Sequence, residues 1–167
     1  AGLLFFVVES PFELALFESV GTPEQPVPVA LRINPDVSTD THAYVRTATH
    51  EDKFGLSFDV AGELAAQIHA SAHIELVGYH VHLGSQLTDP PPYLTALQHV
   101  ERFVDEDPRR REGLRYYDLG GGFGVSSGGD AAMDVGALAA VLLPRLADRG
   151  WQAVLEPGRY LVAEAGV

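Results

Sequence analysis

Along the 167-residue chain, short continuous apolar runs alternate with longer segments whose apolar positions recur every three to four residues. Residues 3–8 are apolar throughout, and in the SPFELALFESV that follows, Ser10 can cap and Pro11 can open a helix. VPVALRIN, residues 27–34, reads as a buried strand. Residues 59–70 carry Val60, Leu64 and Ile68 at helical spacing, with Asp59 as the expected cap. IELVGYHVHL (74–83) is a strand. Residues 92–106 form an amphipathic helix with Leu94, Leu97, Val100, Phe103 and Val104 on one side. LRYYDL (114–119) is a strand, and residues 135–149 form a helix starting near Asp134 and interrupted or kinked at Pro144. WQAVLEPG (151–158) is a last strand ending in a turn. Five short apolar strands separated by helices of about 10–15 residues imply βα units and a parallel sheet in one α/β domain.

The polar signatures fall at one place in this alternation. HLGSQ follows the third strand, LGGGFG the fourth and EPGRY the fifth. All three therefore sit at the C-terminal ends of parallel strands, where α/β barrels and open α/β sheets bind their ligands. The glycines Gly120, Gly121 and Gly122 would each weaken regular structure, so something must approach their backbone closely, either a ligand or a neighbouring strand. Backbone N–H groups at Gly121 and Gly122 can form a nest for a phosphate, the Ser85 hydroxyl and the Arg159 guanidinium can add donors, His82 offers a ring face, and Glu156 offers a carboxylate able to hold a proton on a ring nitrogen.

Composition narrows the partners. A hydrophobic content of 46% fits a globular chain, and no apolar run approaches the length needed to span a bilayer. A formal charge of −12 argues against nucleic acid as a partner. With no cysteine there is neither a disulfide framework nor a thiolate metal site. Arg109, Arg110 and Arg111 lie among acidic residues and read as a solvated loop. Ten of the eleven basic residues are arginine, leaving Lys53 as the only lysine.

ESPFEL, LRINPD, DKFGL, GYHVHLGSQ, DLGGGFG and EPGRYLVAEAG together resemble successive blocks of the fold-type III pyridoxal-phosphate-dependent decarboxylases, the ornithine/lysine/arginine/diaminopimelate group, with the diaminopimelate branch most similar. The resemblance implies an α/β fold: a partial (β/α)8 TIM barrel of alanine-racemase-like type, with residues 1–167 forming one cofactor-binding domain that spans roughly the fourth to eighth βα units. The N-terminal barrel units and the C-terminal β-domain are expected to be absent, and the chain alone inactive. The implied cofactor is pyridoxal 5′-phosphate. The implied roles are His82 on the pyridine ring, Ser85 with Gly120, Gly121 and Gly122 on the phosphate, Glu156 at the pyridine nitrogen, and Gly158 and Arg159 completing phosphate and substrate-carboxylate contacts. The implied reaction is decarboxylation of a small amino acid, with meso-diaminopimelate giving L-lysine, in a cytoplasmic enzyme of lysine biosynthesis that is a homodimer at full length.

Departures accompany the likeness. The family's cofactor-linking lysine lies in a Tyr-Ala-x-Lys block that this chain lacks, and Lys53 matches a different block. Ala48 stands where relatives commonly carry glycine, Asp52 where serine is common, and GVSSGG lacks the usual tyrosine. Alternatives stay open at this level. Relatives that decarboxylate ornithine or arginine share the motifs. A non-catalytic pyridoxal-phosphate-binding barrel would keep the same cradle. His80 and His82, two apart on a strand, share a face and could begin a zinc site of a barrel hydrolase, although His80 reads equally as a packed residue. Arg32 and Asn34 are either structural or substrate-facing, Glu156 and Arg159 could pair with each other, Asp118 is expected to orient the glycine loop, and His42, His50, His69, His73 and His99 are read as surface residues.

Overall fold

The computed structural model describes residues 2–37, 54–126, 131–163 and 165. Its elements alternate as expected: β1 (Phe6–Val8), α1 (Pro11–Val20), β2 (Val27–Arg32), α2 (Phe58–Ala70), β3 (Ile74–His80), α3 (Pro91–Asp105), a 3-10 turn (Pro108–Arg110), β4 (Tyr116–Asp118), α4 (Val135–Asp148), β5 (Gln152–Val154) and α5 (Gly158–Val162). The five strands form one sheet in sequence order with every pairing parallel.

Local chemistry sets the helix starts. Ser10 accepts from the Glu13 N–H at α1, while Glu13 reaches back to the Glu9 N–H, satisfying two donors that a helix start would otherwise leave open. At α2 the cap is Ser57, whose hydroxyl accepts from the Val60 N–H; Asp59, the expected cap, lies in the first turn instead. Asp134 caps α4 as expected. That helix runs through Pro144 as a single element, because the residues after the proline keep their packing: Leu146 and Trp151 are buried. Among the described elements, α5 and the 3-10 turn have no counterpart in the sequence reading, which ended at a turn and took residues 109–111 as a loop.

Strand register explains what faces where. Leu31, Tyr79 and Tyr117 are partners on adjacent strands and are buried toward the helices; the Tyr79 ring meets Phe103 of α3 edge-on at 5.6 Å. One residue further on, Arg32, His80 and Asp118 are also partners and point to the opposite face. This opposite face is concave. The Phe5 ring, just before β1, lies 5.5 Å from the Tyr116 ring on β4, two strands beyond its neighbour β2. Such a contact requires the sheet to curl, so the five βα units form an arc of a barrel with the helices outside and the polar row inside.

Outside the arc, α3 and α4 are joined by charge. Buried Glu101 pairs with both Arg145 and Arg149, and Arg149 also binds Asp105 and lies over the Trp151 ring at 5.2 Å. This clamp ties the helix after β3 to the helix after β4.

Candidate active site

The three polar segments come together. A cavity of about 200 Å³ is lined by His82, Ser85, Gly121, Gly122, Glu156, Gly158 and Arg159, with Gln86, Phe123, Pro157 and Tyr160 completing its wall. Gly120 lies just beneath, buried. A second hollow of about 300 Å³ adjoins it on the concave side and shares His82 and Glu156, with Val7, Glu9, Arg32 and His80 as its other walls.

What approaches the glycine loop is the protein itself. A Cβ on Gly122 would overlap the Gly84 carbonyl oxygen, and one on Gly121 would overlap the Glu156 carbonyl. At Gly120 (φ +66°) a Cβ would lie 2.6 Å from the Val81 oxygen. Neighbouring strand tips crowd all three residues, so of the two visitors the sequence allowed, the neighbouring backbone is the one the fold itself supplies. Gly84 and Gly158 are the opposite case: a Cβ there would meet nothing within 4 Å.

The loop is tied to its neighbours by hydrogen bonds. Asp118 accepts from the Gly120 N–H at 2.8 Å, the orienting contact expected of it. Gly121 donates to His82 Nδ1 at 3.3 Å, and the Gly121 carbonyl accepts from the Tyr93 hydroxyl at 3.1 Å. The Glu156 N–H donates to the Gly120 carbonyl at 2.8 Å. Leu87 and Phe123 form a parallel bridge, Leu87 N–H to Gly122 O at 3.0 Å and Gly124 N–H to Leu87 O at 2.8 Å. Gln86 (φ +59°) then clasps Val125 with both ends of its amide, at 3.2 and 3.3 Å. Of the nest expected at Gly121 and Gly122, the Gly121 N–H is therefore already engaged, as is that of Gly120 beside it. The Gly122 N–H has no acceptor among the described residues.

Electrostatics single out the row beneath. His82 is held below its ordinary value by burial and by Arg32, with Glu156 opposing. Since its Nδ1 accepts from Gly121, the neutral ring carries its proton on Nε2. His80 is buried and pushed down to about 4 by desolvation, then by Arg32 and His82. Asp118 is raised to about 6, chiefly by burial, with the Gly120 N–H opposing and Glu156 adding to the rise. Arg32 binds Glu9 at 2.6 Å, so the structural reading of Arg32 is the one its geometry supports.

Other expectations change. Among the described residues no ion pair joins Glu156 to Arg159; the ion-pair neighbour of Glu156 is His80, Nε2 to Oε2 at 3.5 Å. The set close enough to share a cation is His80, Asp118 and Glu156, within 4.8 Å of one another, and His82 is not part of it. His73 and His99 are half-buried rather than superficial and contact the Glu18 and Pro35 carbonyls. Lys53, Ala48, Asp52, His42 and His50 lie outside the described residues. Tyr93, Phe123 and Tyr160 were not singled out from sequence; each lies inside a quoted segment without a reading of its own.

The model for the pyridoxal-dependent decarboxylase, pyridoxal binding domain, matches residues 2–163. The chain belongs to the pyridoxal-dependent decarboxylase family. Within this decarboxylase family it is 39% identical to the diaminopimelate decarboxylase of Pseudomonas aeruginosa, over 99% of this chain and 40% of that protein. It is 35% identical to that of Campylobacter jejuni, over 98% and 41%. Among solved structures, diaminopimelate decarboxylase from Helicobacter pylori complexed with L-lysine superposes with a TM-score of 0.79 at 32% identity, covering 93% of this chain and 40% of that one. The chain thus spans about 40% of the length of the relatives it matches. The cofactor of the family is pyridoxal phosphate, and the α/β arc seen here is the corresponding part of the decarboxylase barrel.

Proposed function

We propose that this chain supplies the cofactor-facing strand ends of a pyridoxal-phosphate-dependent amino-acid decarboxylase acting on meso-diaminopimelate. The observation that carries the reading is the gathering of HLGSQ, LGGGFG and EPGRY around one cavity, with a ring-faced histidine and a half-exposed carboxylate at its mouth. The residues fit the cofactor. Gly158 leaves open space on the cavity wall where a side chain would intrude, and Ser85 and Arg159 are exposed donors at the same wall. When bound, pyridoxal phosphate supplies an electron sink for the bond to the leaving carboxylate.

The roles then follow from placement. Ser85, the Gly122 N–H and the Gly158–Arg159 segment hold the phosphate, with Gly120 and Gly121 shaping the loop rather than donating. Neutral His82 covers one ring face, its Nε2–H turned away from Gly121. Glu156 sits at the ring nitrogen, where a carboxylate favours the protonated form. Arg159 is also placed to receive the substrate's carboxylate. Both catalytic assignments, His82 and Glu156, rest on this placement.

Relatives named as diaminopimelate decarboxylases favour that substrate over ornithine or arginine, and relatives crystallised with L-lysine agree with a lysine-forming reaction. The remaining barrel units, the cofactor-linking lysine and a C-terminal β-domain are assigned to sequence beyond these residues, in a cytoplasmic homodimer; residues 1–167 alone are then inactive. Among the described residues no helix is long and apolar enough to cross a membrane. Carbon dioxide release by the full-length protein tests the reading. Turnover of meso-diaminopimelate is expected at a kcat/KM at least ~100-fold above ornithine and arginine, and release from none of the three overturns it.

A further inference from the structure

Glu156 has a neighbour that the cofactor contacts do not require. His80 is buried on the concave side of β3, in register with Arg32 on one flank and Asp118 on the other. Its Nε2 lies 3.5 Å from Glu156 Oε2, and its Nδ1 is a buried atom without a hydrogen-bond partner among the described residues. A neutral imidazole has one donor nitrogen and one acceptor nitrogen. An orphaned acceptor in the interior is tolerated more readily than an orphaned N–H, so the proton belongs on Nε2, facing the carboxylate. Burial, then Arg32 and His82, oppose a second proton on the ring, while Glu9, already bound to Arg32, favours it. Asp118 closes the third side, spending one oxygen on the Gly120 N–H.

We propose that His80 is a positioning residue for Glu156: its Nε2–H fixes the carboxylate at the rim between the two hollows, directed at the ring nitrogen of the cofactor, while Asp118 bars the carboxylate from folding inward. This rests on the assignment of Glu156 to the ring nitrogen. Glu156 needs such a hold because β5 ends at Val154 and its side chain is 53% exposed, so nothing else described restrains its direction. On this assignment a cation among His80, Asp118 and Glu156 would compete with the ring nitrogen for the same carboxylate.

Affinity for two probes separates the possibilities without reference to turnover. Full-length apoprotein is titrated with pyridoxal phosphate and with the analogue whose ring nitrogen is replaced by CH, both carrying the phosphate. The wild-type protein is expected to favour pyridoxal phosphate, and Glu156→Ala to bring the ratio of affinities close to one. His80→Leu should reduce the ratio roughly ten-fold, about 1.4 kcal/mol, with affinity for the analogue unchanged. His80→Gln, whose amide N–H reaches about as far as Nε2, should restore it to within about two-fold. A wild-type ratio in His80→Leu, or equal loss of both probes, overturns the positioning role while leaving Glu156 in place. An unchanged ratio in Glu156→Ala removes the ring-nitrogen assignment and the proposal with it.

Discussion

Two sets of glycines stand at the same strand tips for opposite reasons. Gly120, Gly121 and Gly122 are wedged against the carbonyls of Val81, Glu156 and Gly84, whereas Gly84 and Gly158 face open space. Gly121 and Gly122 line the cavity yet are crowded by the scaffold behind them, whereas Gly158 lines it with space to spare, although in sequence they look alike. A glycine-rich motif at the end of a strand therefore shows that something comes close, but not whether the visitor is protein or ligand.

The sharpest way to break this distinction is Gly122→Ala. A side chain there meets a fixed backbone oxygen at φ +85°, so a loss of about 3 kcal/mol or more is expected in denaturant unfolding. A change below about 1 kcal/mol would return the loop to the ligand side. The buried row under the scaffold glycines gives an effect of similar size that depends on pH. His80 is held near 4 against an ordinary 6.5, so the unfolded chain takes up this proton first and the fold loses stability as pH falls from about 6.5 to about 4. Asp118 is held near 6 against 3.8, so its contribution is full below 3.8 and is lost as pH rises through about 6. The two oppose each other in the same window. The stability gap between wild type and Asp118→Asn should therefore widen in favour of wild type by on the order of 3 kcal/mol as pH falls from about 6 to about 4. The gap to His80→Gln should move in the opposite direction, and parallel profiles for all three proteins would refute both assignments.

Smaller effects sharpen the comparison. Gln86→Ala removes both amide contacts to Val125 and is expected to lower stability by about 1–2 kcal/mol in thermal unfolding. Gly158→Ala fills only open space. It should leave stability within about 0.5 kcal/mol while weakening pyridoxal phosphate binding about ten-fold, about 1.4 kcal/mol, in a fluorescence titration. Destabilisation by more than this would place Gly158 with the scaffold set.

How far the sequence carried each part has a physical explanation. Helix and strand positions were legible where periodicity ran long, as in α3 and α4. The cap at α2 was misplaced by two residues because Ser57 and Asp59 are both competent caps and only backbone geometry chooses between them. α5 was missed because a five-residue helix following proline has too few turns to show a period. The gathering of the three motifs could be read from βα alternation, since parallel strands place all their C-terminal ends on one edge. The His80–Asp118–Glu156 cluster could not: its members sit on three strand ends, and only the register pairing His80 with Asp118, together with the two-residue step from Val154 to Glu156, places them side by side.

The bridge between Leu87 and Phe123 continues the sheet's own ladder beyond β3 and β4, into the segments that wall the cavity. Two loops stitched in this way fluctuate as one cooperative unit. The amides of Leu87 and Gly124 should exchange with solvent at a common rate, and a guest that quiets Ser85 on one loop will also have stilled Gly122 on the other before touching it.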